Sequence, residues 1–132
     1  MKDSKLDMPG QVTTEMISIV DDDVAVREML VSLTRSLGYD ALGFSSAEEF
    51  LAYADFARFS CAITDIHMPG MSGFELQKQL RQRDETFPVI VITARTEPDL
   101  ERKAISGGAI GFLRKPLDVE LLVGCIKRAL RD

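Results

Sequence analysis

The feature that most constrains the fold is a strict alternation of short β-rich runs with amphipathic helical segments. Val89–Thr93 reads VIVIT, an unbroken apolar run of the kind that is buried on both faces of a parallel sheet. Each of the five runs is followed by a segment with apolar residues at helical spacing. Because parallel neighbours need a crossover connection, this order predicts an α/β fold with a doubly wound parallel sheet of five strands and five helices. The predicted strands are Met16–Val20, Tyr39–Phe44, Cys61–Thr64, Val89–Thr93 and Ala109–Leu113.

Local signals predict where the helices begin and end. A serine followed three residues later by a glutamate has the spacing of a capping box, and this pair occurs before the second and third helices. A proline suited to a first helical turn opens the fourth helix, and two glycines end it. The signals are Ser46 with Glu49, Ser72 with Glu75, Pro98, and Gly107 with Gly108; the second helix is expected to extend through Leu51 and Ala54 towards Phe56.

Composition restricts the class of protein. With 132 residues, of which 45% are hydrophobic and 28% charged, the chain is expected to form one globular domain. Residues 1–15 are polar and without periodicity, which predicts a disordered N-terminal arm before a folded domain over residues 16–132. The net charge of −5 disfavours direct binding to nucleic acid. No signal peptide or apolar run of membrane-spanning length is present, so we expect a cytoplasmic protein without membrane contact.

The two cysteines do not suggest a metal site. Cys61 and Cys125 lie far apart in apolar segments, and the chain has a single histidine, His67, to complete a zinc set. Buried free thiols are the expectation.

Polar residues follow four of the five predicted strands, where an open α/β sheet binds its ligands. Only Ser45 and Ser46 follow the second strand, which predicts that this strand lies at an edge of the sheet. A strand order of 2-1-3-4-5 would bring the other four strand ends together. Their residues are Asp21 and Asp22 after the first strand, Asp65 after the third, Thr93 at the end of the fourth and Lys115 after the fifth.

These residue types fit phosphoryl transfer. Carboxylates in one pocket repel one another, and a divalent cation that prefers oxygen, such as Mg²⁺, relieves the repulsion. Lysine supplies a point charge for a phosphoryl oxygen, and a threonine hydroxyl can donate to another. Asp65 is favoured as the nucleophile because it stands alone before a Met-Pro-Gly loop, whereas Asp21 and Asp22 can bind the metal. Asp23 is expected to cap the first helix.

The sequence resembles the receiver domain of bacterial two-component response regulators. The resemblance lies in IVDDD, TDIHMPGMSG, VIVITA and FLRKP, in this order and spacing, and covers nearly all of the predicted folded part. It implies a flavodoxin-like fold, consistent with the periodicity. It also implies a signalling receiver rather than an enzyme acting on an external substrate, one that catalyses only its own phosphorylation and dephosphorylation.

The resemblance assigns roles to individual residues. It implies that Asp65 is phosphorylated by the phosphohistidine of a sensor histidine kinase or histidine phosphotransfer protein. It implies that Mg²⁺ is bound by Asp22, Asp65 and the main-chain oxygen of His67, with Asp21 assisting through a water molecule. Lys115 would pair with the phosphoryl group. Thr93 and Phe112 would act as switch residues, and His67 and Arg95 would tune the lifetime of the phosphoryl group.

The output of such a switch is left open. By the resemblance, phosphorylation would change the surface of the fourth helix, fifth strand and fifth helix, which would act on a protein partner or form a phosphorylation-dependent homodimer. The leading hypothesis is a switch without its own output domain, and the alternative is the receiver of a longer, DNA-binding regulator. A phosphate-inert adaptor is disfavoured because no site residue is missing. An aspartate-nucleophile phosphohydrolase is disfavoured because His67 stands where its second aspartate is expected.

Overall fold

The computed structural model describes residues 15–53, 58–83, 85 and 87–131. Over these residues, five parallel strands form one sheet in the order β2-β1-β3-β4-β5, as predicted. The strands are β1 (Met16–Val20), β2 (Asp40–Phe44), β3 (Cys61–Asp65), β4 (Val89–Thr93) and β5 (Gly111–Arg114), and the helices are α1 (Val24–Ser36), α2 (Ala47–Leu51), α3 (Gly73–Gln82), α4 (Leu100–Ser106) and α5 (Val119–Leu130).

Helices cover both faces of the sheet, which explains why the inner strands are apolar throughout. All five residues of β1, β3 and β4 are buried. Alternate side chains point to opposite faces, so Ile17 and Ile19 pack with α1 and α5, whereas Val20 packs with α2, α3 and α4. The predicted polar residues lie at or just beyond the carboxyl ends of the strands.

Helix capping follows the sequence signals, with one difference. Ser72 accepts a hydrogen bond from the Glu75 N–H while Glu75 accepts one from the Ser72 N–H, which completes the predicted capping box of α3. At α2, Ser46 accepts from the Glu49 N–H, but the Glu49 carboxylate accepts from the Ser45 N–H instead. The reciprocal bond predicted for the second helix is therefore displaced by one residue. Residues 54–57, over which that helix was expected to continue, lie outside the described residues.

The predicted boundary between α4 and β5 is wrong by two residues. The strand was expected to begin at Ala109, but the Ala109 N–H donates to the Ala104 carbonyl, 3.0 Å away, and so closes the end of α4. Gly108 has a φ of +101°, which allows this reversal of the chain. The Ile110 N–H is the first to reach β4, bonding the Val89 carbonyl at 2.9 Å. At its other end, α4 begins at Leu100, and Pro98, which was expected in the first helical turn, lies in the turn that precedes the helix.

Glu15, the last residue of the predicted arm, is joined to the sheet. Its carbonyl accepts a hydrogen bond from the Asp40 N–H, and its carboxylate accepts one from the Ser60 hydroxyl. The rest of that arm, residues 1–14, lies outside the described residues. No helix in the described part of the chain has both the length and the apolar character needed to cross a bilayer.

Cys61 and Cys125 are free and buried, as predicted. Burial, and then the neighbouring Cys125, raise the pKa of the Cys61 thiol to about 12. Cys61 is therefore protonated and unreactive at neutral pH.

Candidate functional site

Three carboxylates meet at the carboxyl edge of the sheet. β1 and β3 are hydrogen-bonded neighbours, so the residues that follow them lie side by side. One carboxylate oxygen from each of Asp21, Asp22 and Asp65 lies within 4.8 Å of the others. Asp21 and Asp65 are buried, whereas Asp22 is exposed. The site is therefore an acidic pocket that is open to solvent at Asp22.

Lys115 supplies the positive charge of this pocket. Its Nζ lies 3.0 Å from Asp21 Oδ2 and 3.3 Å from Asp65 Oδ2. Burial acts to lower the pKa of Lys115, but the carboxylates of Asp21 and Asp65 outweigh burial and raise that pKa above its usual value. The ammonium group therefore stays charged near neutral pH, where it offsets the negative charge of both neighbours.

The Asp65 carboxylate is fixed from two sides. The Ile66 N–H donates to Oδ1 at 2.8 Å, and Lys115 donates to Oδ2. Burial, and then the negative charge of Asp21, raise the pKa of Asp65 above its usual value, although Lys115 and the Ile66 N–H oppose them. One ammonium group faces two buried carboxylates, so negative charge is in excess at this point of the molecule.

The donor set fits a divalent cation that prefers oxygen ligands. Asp21 Oδ1 accepts the Asp23 N–H at 2.9 Å, and Asp21 Oδ2 is buried with Lys115 Nζ, 3.0 Å away, as its ionic partner. That one ammonium group serves both buried carboxylates, Asp21 and Asp65, so a cation beside them would offset the remaining negative charge. Clustered carboxylate oxygens are the ligands that Mg²⁺ prefers. The exposed carboxylate leaves the cluster accessible to an ion from solvent.

The loop after Asp65 is pressed against the end of β3. The Gly73 N–H donates to the Ile66 carbonyl at 2.8 Å, and a Cβ atom on Gly73 would lie 2.3 Å from the Asp65 carbonyl oxygen. Only glycine allows this approach. Within the loop, the His67 side chain is half-buried, and its Nδ1 has no partner among the described residues.

Thr93 and Lys115 lie next to each other at the ends of β4 and β5. The Lys115 N–H donates to the Thr93 carbonyl at 2.7 Å, and the Lys115–Pro116 peptide bond is cis. The Thr93 side chain is fully buried, and its hydroxyl oxygen accepts a hydrogen bond from the Arg95 N–H at 3.0 Å. The Arg95 side chain is exposed and lies 3.4 Å from Glu97. Arg95 thus contacts Thr93 through its main chain and Glu97 through its side chain.

Phe112 lies on β5, opposite Val91 of β4. It is half-buried against the core on the α2–α3–α4 side of the sheet. The guanidinium group of Arg114 stands over its ring, with Cζ 5.1 Å from the ring centroid. The described contacts of Phe112 are therefore with the core and with Arg114.

Some residues that shape the site gave no clear sequence signal. Arg27 donates to the Asp21 carbonyl at 2.7 Å, and Glu48 accepts the Met71 N–H at 2.9 Å from the far side of the loop that follows Asp65. Gly73 could have been suspected, since it directly follows the cap of α3. The contacts of Arg27 and Glu48 cross between elements, and no local pattern encodes them.

The fold and the site define a class of protein: a doubly wound sheet with an acidic, metal-compatible pocket and a lysine at its switch point. The family profile of the response regulator receiver domain matches residues 17–127. The chain belongs to this family, whose members are signalling proteins controlled by phosphorylation.

Individual relatives agree with this assignment. The chain is 42% identical over 116 residues to the response regulator protein TodT of Pseudomonas putida, a match that covers 88% of this chain and 51% of TodT. It is 34% identical over 116 residues to the transcriptional regulatory protein FixJ of Bradyrhizobium diazoefficiens, covering 88% of this chain and 57% of FixJ. The solved structure of the chemotaxis protein CheY4 of Vibrio cholerae superposes with a TM-score of 0.81 at 32% identity, covering 89% of this chain and 100% of CheY4. The chain thus spans about half the length of the curated relatives it matches.

Proposed function

We propose that Asp65 accepts a phosphoryl group from the phosphohistidine of a sensor histidine kinase or histidine phosphotransfer protein, in a reaction that requires Mg²⁺. One observation carries the proposal: the buried Asp65 carboxylate is ion-paired to Lys115 and lies within 4.8 Å of the Asp21 and Asp22 carboxylate oxygens. In this reaction an Asp65 oxygen attacks phosphorus, and the P–N bond breaks with its electron pair going to the imidazole. The product is an aspartyl phosphate.

The residues of the pocket would have different roles in this reaction. Asp22, Asp65 and the main-chain oxygen of His67 would bind Mg²⁺, and Asp21 would act through a bound water molecule. The cation would neutralise charge on the transferring group. The Lys115 ammonium, which lies 3.3 Å from Asp65 Oδ2, would pair with a phosphoryl oxygen. The Ile66 N–H fixes the orientation of the attacking carboxylate.

Readout would begin at Thr93. The Thr93 hydroxyl can donate a hydrogen bond to a phosphoryl oxygen, and its oxygen atom would then give up its present hydrogen bond. Phe112 would change its packing in response. Phe112 has no hydroxyl, so its movement would be controlled by packing alone. His67 and Arg95 flank the site in sequence and would set how readily water reaches the aspartyl phosphate. The protein would act as a switch in the cytoplasm that catalyses only its own phosphorylation and dephosphorylation.

The downstream target is a protein or an attached output domain. Three of the curated relatives carry the words transcriptional regulatory protein or transcriptional regulator in their names, and the chain matches only part of each. A receiver that controls a DNA-binding domain is therefore a second candidate for the whole protein. In either case the receiver itself, with its net charge of −5, would contact protein and not nucleic acid.

The decisive experiment is intact-mass spectrometry after incubation with acetyl phosphate and Mg²⁺, because the chain has no tryptophan for a fluorescence assay. We expect a phosphoryl adduct on the wild-type protein that is lost in Asp65→Asn and when EDTA replaces Mg²⁺. Asp40→Asn, which changes an exposed aspartate at the start of β2, should keep the adduct. An adduct that persists in Asp65→Asn would contradict the proposal. So would the absence of any adduct both with acetyl phosphate and with a panel of phosphorylated histidine kinases.

A further inference from the structure

Arg114 joins β5 to the loop of residues 94–99 between β4 and α4. The side chain is exposed, yet its guanidinium group makes three contacts. It donates to the main-chain oxygen of Arg95 through Nη1 and to that of Glu97 through Nη2. It also covers the ring of Phe112. A single side chain thus contacts the loop at two carbonyl groups and the aromatic residue at the proposed switch position.

The loop that Arg114 contacts is also hydrogen-bonded to Thr93. The Arg95 N–H donates to the Thr93 hydroxyl oxygen at 3.0 Å, while the Arg95 carbonyl accepts from Arg114. Arg95 therefore links the exposed guanidinium group to the buried hydroxyl through its main chain. Any movement of Thr93 that carries this loop with it must stretch both carbonyl contacts of Arg114.

We propose that Arg114 is a positioning residue that restrains the β4–α4 loop, and with it Thr93 and Phe112. This restraint sets how readily the site changes its conformation on phosphorylation. This inference rests on the proposed function of Asp65, because it names a control on that same site. Its action is a restraint: the contacts stabilise the arrangement in which the Thr93 hydroxyl is bonded to Arg95. A phosphoryl group on Asp65 would have to compete with that arrangement.

The chemistry of the side chain explains why arginine is needed. The planar guanidinium group presents parallel donors that reach two carbonyls at once, and it stacks on aromatic rings. Lysine would keep the charge but could not form the same fork. Lys115, the next residue, lies just after the end of β5 and points into the acidic pocket instead. Two consecutive residues thus have different roles: Arg114 restrains the loop, and Lys115 supplies charge to the pocket.

The test compares Arg114→Gln, Arg114→Lys and a control, Arg102→Gln. Arg102 carries the same charge on α4, is 71% exposed, and its contact with Asp99 is long, at 3.9 Å. The first measurement is the affinity for beryllium fluoride in the presence of Mg²⁺, a stable mimic of the phosphoryl group, by calorimetry. The second is amide hydrogen exchange of the Arg95 N–H without any phosphoryl mimic. Urea unfolding is recorded for each variant to exclude a loss of the fold.

We expect Arg114→Gln and Arg114→Lys to bind beryllium fluoride about three- to tenfold more tightly than wild type, because hydrogen bonds to a charged group have been removed from the restrained state. Exchange of the Arg95 N–H should accelerate by a similar factor, and Arg102→Gln should match wild type in both. Unchanged exchange and affinity, or weaker binding in Arg114→Gln, would overturn the inference. If wild type fails to bind beryllium fluoride and forms no adduct, the proposed function fails, whereas the exchange experiment still reports on the restraint.

Discussion

The burial of Asp65 beside Asp21 links the stability of the protein to pH. Burial and the Asp21 charge raise the pKa of Asp65 above the 3.8 of a free carboxyl, so the folded state binds this proton more tightly than the unfolded state does. The stabilising contribution of the proton is complete below 3.8 and is lost as the pH rises through the raised folded value. At neutral pH without Mg²⁺, ionised Asp65 therefore destabilises the fold.

Asp65→Asn should remove this penalty. The substitution leaves Lys115 paired with one buried carboxylate, Asp21, and no longer with two. We expect the free energy of unfolding at neutral pH in EDTA to rise by on the order of 1 kcal/mol, with the gain shrinking towards pH 4. Urea unfolding between pH 4 and 7.5 measures it. A mutant that is less stable than wild type at neutral pH, or a gain in stability that does not depend on pH, would contradict this prediction. It would show that the partners of Asp65 fully offset the negative charge of its carboxylate.

At the scale of elements, the junction of β3 with α3 is the tightest point of the site. A Cβ on Gly73 would meet the main chain of Asp65 and Ile66, which cannot swing aside as a side chain would. We expect Gly73→Ala to lower the free energy of unfolding by about 2 kcal/mol or more and to weaken Mg²⁺ binding, because Asp65 must shift. Gly124→Ala on α5 is the matched control: nothing lies within 4 Å of its Cβ, and alanine is the better helix former.

Calorimetric Mg²⁺ titration and urea unfolding of the two variants separate these effects. Gly124→Ala should gain about 0.5–1 kcal/mol of stability and bind Mg²⁺ as wild type does. Equal behaviour of the two alanine variants would mean that the loop relaxes without cost.

The elements also show what sequence periodicity can and cannot predict. The bounds of β1 and β4 were predicted to the residue, because a buried parallel strand is apolar throughout and polar residues end it abruptly. The start of β5 was not, because Ala109 is as apolar as a strand residue, whereas its N–H closes α4. That hydrogen bond depends on the φ of Gly108, which the pattern of apolar residues does not encode.

The same limit applies to the candidate site. The meeting of the Asp21, Asp22 and Asp65 carboxylates with Lys115 follows from strand order alone, since each residue lies at or just beyond the carboxyl end of a strand. Contacts made by long side chains across loops do not follow from strand order. Those of Arg27, Glu48 and Arg114 depend on where neighbouring loops lie in three dimensions, so only the structure reveals them.

At the scale of the whole molecule, the face formed by α4, β5 and α5 carries the apolar surface that a switch could use. Ile105, Ile110 and Leu121 are 49%, 36% and 60% exposed. They line one surface cavity together with Phe112. Because Phe112 is the proposed aromatic switch, a change at Thr93 would alter the shape of this surface. Apolar side chains that cluster in this way mark contact surfaces more often than scattered ones do.

A second copy of the chain is one occupant for this face, and self-association tests it directly. With Mg²⁺ and beryllium fluoride we expect a shift towards dimer in sedimentation velocity, because repacking of Phe112 would complete an apolar interface. Leu121→Glu places a charge on the face and should abolish the shift, since a charge buried in an apolar interface is costly. Met29→Glu is the control, because Met29 is an exposed apolar residue as well, at 41%, but lies on α1. If wild type remains monomeric at all concentrations with the mimic bound, a second copy of the chain is excluded as the occupant of this face. If Met29→Glu abolishes the shift instead, dimers form through α1, away from the proposed switch.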